Sequence, residues 1–181
     1  MLLVDDEMLH NLDTGSVLRK NGYCTDYAAS AEACLEKLES GEEAPDIILM
    51  DIDFGPGRMG GAEATKHINA RYDIPVVLYS AYDDKETLES TREMTRYGYV
   101  QKIPGNDHIV LATLDMALKL HRMECREREH REQLRREMRL KEKITQTAPV
   151  GIVVADGRGD ISFANHEAKR MFALEERSDV H

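Results

Sequence analysis

Short strand-forming runs that each stop at a polar or charged side chain constrain this chain more than anything else in it. Leu2-Leu3-Val4 stops at Asp5-Asp6, and Asp46-Ile47-Ile48-Leu49-Met50 stops at Asp51. Pro75 to Tyr79 stops at Ser80, and Gly98 to Gln101 stops at Lys102. A further run, Tyr23 to Ala28, lies between the first two. Runs that are apolar throughout, rather than at every second residue, belong to strands buried on both faces.

The segments between them read as helices. Met8 to Lys20 carries Leu9, Leu12 and Val17 at helical spacing and meets a stop at Asn21-Gly22. Ser30 can cap a helix holding Ala33, Leu35 and Leu38, which ends at Ser40-Gly41. Ala62 to Ala70 is a short helix after a Gly/Pro-rich loop, Asp83 can cap one running to about Arg96, and Asp107 can cap the last and longest. Strands alternating with helices predict an α/β fold with a five-stranded parallel sheet covered on both faces. Right-handed crossovers then bring all the strand C-termini to one edge, where ligands bind in such sheets. Asp5, Asp6, Asp51, Ser80 and Lys102 are therefore expected to meet although they are distant in sequence.

Three carboxylates brought together repel one another unless a cation joins them. Hard oxygen donors favour Mg²⁺, which also takes phosphate oxygens. An Asp carboxylate can attack a phosphoryl group to give an acyl phosphate. Positive charge around the phosphoryl oxygens is the main further requirement, and Mg²⁺ and a lysine can supply it. A hydroxyl at Ser80 could hydrogen-bond the bound group.

Composition removes other classes. The net charge of −10 argues against a general nucleic-acid-binding surface. No apolar run is long enough to span a membrane, and MLLVDDE lacks the pattern of a secretory signal. Cys24, Cys34 and Cys125 are scattered and odd in number, so no disulfide framework or cysteine metal site is expected, and a reducing cytosol fits best. The seven histidines show no ligand spacing.

In order, LLVDDE, PDIILMDID, PVVLYSAY and YGYVQK resemble the response-regulator receiver family, over residues 1 to about 121. The resemblance implies a doubly wound, flavodoxin-like sheet of order 2-1-3-4-5. It implies a module of a two-component phosphorelay that accepts a phosphoryl group from a phosphohistidine on a histidine kinase or phosphotransfer protein. Asp51 would be the phosphoacceptor. Asp6, Asp51 and the backbone carbonyl of Asp53 would ligate Mg²⁺, with Asp5 assisting through water. Ser80 and Lys102 would contact the phosphoryl group, and Tyr99 would swing inward as Ser80 moves. The sequence departs from the family in three places. The loop after Asp51 is about two residues longer, Gly60 stands where the family often has Asp, and Lys102-Ile103-Pro104 replaces the Lys-Pro pair that carries a cis peptide. Asp51-Ile52-Asp53 also resembles the nucleophile motif of haloacid-dehalogenase-type phosphatases, but these need an acidic pair after the nucleophile, and here Asp5-Asp6 comes first. A receiver that binds a partner without being phosphorylated is a further alternative, against which the full acidic set argues.

No Gly or Pro lies between Gly105 and Pro149, so the last helix can run to about Thr147. Residues at 3-4 spacing, including Ile109, Met116, Leu120, Met123, Leu134 and Ile144, form a seam that is apolar at its ends and polar in its middle. A homodimer through residues 109–148 is expected. Beyond Pro149 a hairpin (Val150 to Ala155, Asp160 to Ala164) turns at Asp156-Gly157-Arg158-Gly159, and Asn165 to Phe172 is helical. APVGIVVADGRGDISFANHEAKRMF, with Asn165 and Ala168 three apart, resembles the opening of a PAS sensor domain. The expected organisation is a receiver domain over 1–121, a signalling helix over 122–147 and a partial, α+β PAS segment over 148–181. The chain is then expected to be a piece of a longer protein, similar to a hybrid sensor kinase, or to pack its tail against another copy.

Overall fold

The structure, a computed structural model, describes residues 1–41, 43–81 and 96–172; the side chains of residues 8–12 are outside the description. The helix expected from Asp83 therefore falls almost wholly on residues that are not described, as do the side chains of Leu9, His10 and Leu12. The described elements divide into two compact units, Met1–Cys125 and Arg126–His181.

The first unit holds five strands: β1 (Leu2–Val4), β2 (Asp26–Ala28), β3 (Ile48–Asp51), β4 (Val76–Ser80) and β5 (Tyr99–Gln101). All pair in parallel, in the order β2-β1-β3-β4-β5. Helices α1 (Met8–Lys20), α2 (Ala31–Glu39) and α3 (Gly61–Arg71) connect them, and α4 (Asp107–Thr147) follows β5. Successive side chains of a strand point to opposite faces, so each strand serves two cores. Leu2, Val4, Ile48, Met50, Val76 and Leu78 pack with Ala31 and Cys34 of α2 and Ala64 and Ile68 of α3. Leu3, Leu49, Val77, Tyr79 and Val100 pack with Leu18 of α1 and Val110, Leu114 and Ala117 of α4. This is the doubly wound sheet that the continuous apolar runs predict.

The local signals place most boundaries. Ser30 caps α2, its Oγ accepting from the Ala33 N–H at 3.1 Å. Gly22, just past α1, holds φ at +89°, a conformation that a side chain disfavours. Three details differ from expectation. The β2 strand is only Asp26–Ala28, because it pairs with a three-residue β1. Among the described side chains of α1, Leu18 is buried, while Val17 is half-buried. Asp107 lies in the first turn of α4, and Asn106 precedes it, its carbonyl accepting from Ile109 and Val110. At the entry to β5, Gly98 (φ +116°) has Thr113 Cγ2 of α4 3.0 Å from where a Cβ would stand. No peptide bond among the described residues is cis.

In the second unit, β6 (Val153–Ala155) and β7 (Ile161–Ala164) pair antiparallel, and α5 (His166–Phe172) follows. Asn165 is fully buried and joins three segments. Its Oδ1 accepts from the N–H groups of Ile152 and Ala168 at 2.8 and 2.9 Å. Its Nδ2 donates to the carbonyls of Thr145 and Val150 at 3.0 and 2.8 Å. All four hydrogen-bonding positions of the amide are thus used.

Candidate functional site

The parallel pairing carries one residue past the strand ends: Asp5 N–H donates to Ala28 O, Ile52 N–H to Tyr79 O and Lys102 N–H to Ser80 O. This puts Asp5, Asp51, Ser80 and Lys102 at one edge of the sheet, on four different strand ends. Asp5 and Asp51 are buried, at 0% and 8% side-chain exposure. The Lys102 ammonium lies between them, donating to Asp5 Oδ2 at 2.7 Å and to Asp51 Oδ2 at 2.5 Å. Asp6 completes the set: one carboxylate oxygen from each of Asp5, Asp6 and Asp51 lies within 4.8 Å of the others. The other Asp5 oxygen accepts from the Glu7 N–H at 2.8 Å, and Asp51 Oδ1 accepts from the Asp53 N–H at 3.4 Å.

Burial pushes the Asp51 carboxyl above its ordinary range, and the nearby Asp5 charge adds to this. The hydrogen bonds from Lys102 and Asp53 oppose it without overcoming it. For Lys102, burial alone would favour the neutral amine. Hydrogen bonds to Asp5 and Asp51 outweigh it and raise its pKa, so the group is an ammonium ion. Lys102 and Arg58 bring positive charge to the three carboxylates. Clustered hard oxygens of this kind fit Mg²⁺.

The long loop between β3 and α3 frames the cluster. Its Met59 N–H donates to Glu32 Oε1 of α2 at 2.8 Å, and Gly61 N–H donates to Ile52 O at 2.9 Å. Arg58 Nη1 reaches Asp6 Oδ2 at 3.3 Å. Sequence reasoning passed over Arg58; the extra loop length was the signal that could have found it. Asp53 is exposed, and its Oδ1 accepts from the Gly55 N–H at 2.8 Å. Ser80 is buried, and Tyr99, half-buried, packs on the core face shared with Met50 and Leu78.

The sequence model of the response regulator receiver domain matches residues 1–115. The chain belongs to the response regulator receiver family. A PAS-fold model matches residues 139–180 of this receiver chain. The transcriptional regulatory protein PdtaR of Mycobacterium tuberculosis is 25% identical over 123 residues, covering 67% of this chain and 58% of PdtaR. The receiver chain thus spans little more than half the length of that relative. Among solved structures, the N-terminal domain of a response regulator/sensory box/GGDEF three-domain protein from Carboxydothermus hydrogenoformans is 33% identical, with a TM-score of 0.61 over 68% of this chain and 97% of that one. A CheY-like receiver domain protein from Methanospirillum hungatei is 25% identical, with a TM-score of 0.59 over 68% and 95%. No described helix is long and apolar enough to cross a membrane.

One cluster lies outside this receiver site and was missed. Asp73, His121 and Cys125 place a ligand atom each within 4.8 Å of one another. This corrects the expectation that no histidine or cysteine stands at ligand spacing. His121 and Cys125 are one helical turn apart on α4, and that i,i+4 spacing was the signal available in the sequence.

Proposed function

We propose that this chain is a phosphoacceptor of a two-component phosphorelay, taking a phosphoryl group from the phosphohistidine of a histidine kinase or phosphotransfer protein onto Asp51. The observation that carries the reading is the Lys102 ammonium held between two buried carboxylates at strand ends. An Asp51 oxygen attacks phosphorus, the P–N bond breaks, and its electron pair leaves on the imidazole, which takes up a proton. Burial keeps water from the carboxylate, and Lys102 is placed to follow the charge onto the phosphoryl oxygens. Asp6, Asp51 and the backbone carbonyl of Asp53 are the residues to hold Mg²⁺, with Asp5 assisting through water. The ion would add positive charge beside the transferring group.

Ser80 and Lys102 then bond the phosphoryl oxygens, and Tyr99 shifts with Ser80. The face formed by β5, the first turns of α4 and the helix expected from Asp83 would take two arrangements, biased by phosphorylation. Signal leaves through α4. In domain terms, 1–121 is the receiver, 122–147 the signalling helix and 148–181 the beginning of a PAS domain, in a cytosolic parent similar to a hybrid sensor kinase. The exposed Met116, Met123, Leu134 and Ile144 of α4 support a homodimer through residues 109–148. A chain cut near His121 should then be monomeric by light scattering; full dimerisation of that chain would rule the helix out as the contact.

The deciding experiment is incubation with Mg²⁺ and acetyl phosphate, followed by intact mass. Wild type should gain one base-labile phosphoryl group and Asp51→Asn none. Equal labelling of both would refute the assignment. Sustained turnover of a generic phosphomonoester would instead favour the phosphatase reading.

A further inference from the structure

His121 and Cys125 project from one side of α4 towards Asp73, which lies in the loop between α3 and β4; all three belong to the same compact unit. Cys125 Sγ is 3.5 Å from His121 Nε2 and 3.7 Å from Asp73 Oδ2. A tetrahedral zinc ion with ordinary bond lengths needs sulfur–nitrogen and sulfur–oxygen edges of about 3.6 Å. Both separations already meet that requirement.

The hydrogen bonds behind His121 decide which nitrogen faces the cluster. Tyr97 Oη lies 2.9 Å from His121 Nδ1 and 2.9 Å from Glu124 Oε2. The tyrosine has one proton, and a carboxylate can only accept, so that proton goes to Glu124. Arg96, which also bonds Tyr97, can only donate. Nδ1 must therefore donate to Tyr97, and this leaves the lone pair on Nε2, the atom that faces Cys125. A histidine whose far nitrogen is fixed by a hydrogen-bonded partner is the arrangement that orients an imidazole for a metal. The same geometry excludes a Cys-His-Asp nucleophilic triad, because Asp73 lies by the sulfur and the histidine is oriented from behind by a tyrosine instead.

We propose that Asp73 Oδ2, His121 Nε2 and Cys125 Sγ form a Zn²⁺ site, with solvent as the fourth ligand. Binding converts the Cys125 thiol to a thiolate and releases its proton to water. The ion ties α4, at the last residue of the first compact unit, to the loop that enters β4. Metal at this point would hold the middle of the long helix, so Zn²⁺ is an input to the chain separate from the acidic cluster.

The test uses the whole 181-residue chain, stripped with chelator and titrated with Zn²⁺ against a chromogenic competitor in excess Mg²⁺. One equivalent should bind, and Asp51→Asn should bind equally. Cys125→Ser and His121→Ala should weaken binding by about 100-fold or more, and Tyr97→Phe by roughly 10–100-fold through loss of the orienting bond. Co²⁺ in place of Zn²⁺ should give a thiolate-to-cobalt charge-transfer band that Cys125→Ser abolishes. Far-ultraviolet circular dichroism and labelling by acetyl phosphate, unchanged in Cys125→Ser, show that the variant is folded. Absence of a bound equivalent, equal affinity in Cys125→Ser, or cobalt binding without the band would each overturn the site.

Discussion

Adjacent glycines at the start of α3 should respond to the same substitution very unequally. A Cβ on Gly61 would stand 1.7 Å from the carbonyl oxygen of Asp51, 2.8 Å from its carbonyl carbon and 3.0 Å from Met50 Cγ. Ordinary contact begins at 3.4 Å, so Gly61→Ala must part α3 from β3 by about 1.7 Å at this point. The two nearest of these atoms are main chain, and no rotamer change can relieve them. Overpacking of this kind costs roughly 1–3 kcal/mol, and here the upper end applies. Losing the Gly61 N–H to Ile52 O bond adds about 0.5–1.5 kcal/mol. The total, about 3.5–4.5 kcal/mol, is a large share of the ~5–15 kcal/mol stability of an ordinary domain. At Gly60 the nearest atom, Ile52 O, would be 3.5 Å from the new Cβ, and φ is −74°. Gly60→Ala should stay within about 0.5 kcal/mol of wild type, as a small capping loss offsets the entropy gain. Urea unfolding of both variants measures the difference. Because the clash falls on the main chain of Asp51, Gly61→Ala should also slow labelling by acetyl phosphate, with Gly60→Ala unaffected. Equal stability of the two variants would refute the close approach of α3 to β3.

Three further outcomes follow from the charges and hydrogen bonds. Lys102→Met leaves Asp5 and Asp51 buried without their ammonium and should cost about 3–5 kcal/mol near neutral pH in chelator, less when Mg²⁺ is added, by urea unfolding. Burial raises the Asp51 carboxyl above its ordinary value of 3.8, so the folded protein holds that proton more tightly than the unfolded chain. Its contribution is complete below 3.8 and is lost as pH rises through the raised value, so the stability advantage of Asp51→Asn over wild type should grow with pH across that window in chelator; a constant difference would contradict it. Asn165→Ala removes four hydrogen bonds and should cost the Arg126–His181 unit about 2–4 kcal/mol, read as lost exchange protection at the Ile152 and Ala168 amides with the Met1–Cys125 unit unchanged.

What could be read from the sequence is what depends on near neighbours and on strand ends. Continuous apolar runs gave the two-faced sheet, and the polar residue closing each run gave the gathering of Asp5, Asp6, Asp51 and Lys102. The lack of Gly and Pro after Gly105 gave the extent of α4. Strand lengths were less legible, because β2 can pair only as far as β1 does, and that limit lies on another segment. The reach of Arg58 to Asp6 depends on the path of a loop, which local propensity does not determine. The Asp73–His121–Cys125 cluster was only partly legible for a related reason. Two of its members share one helix turn, but the third comes from a distant loop that only the packing of α4 brings alongside.

The bare main chain at Gly98 has a mechanical consequence. Thr113 of α4 rests against the peptide backbone entering β5, with no side chain of residue 98 interposed. A side chain there could change rotamer and absorb a small movement; a peptide plane cannot. Displacement of that stretch of backbone bears directly on the Thr113 methyl of α4, so one side chain rather than two is left to absorb it.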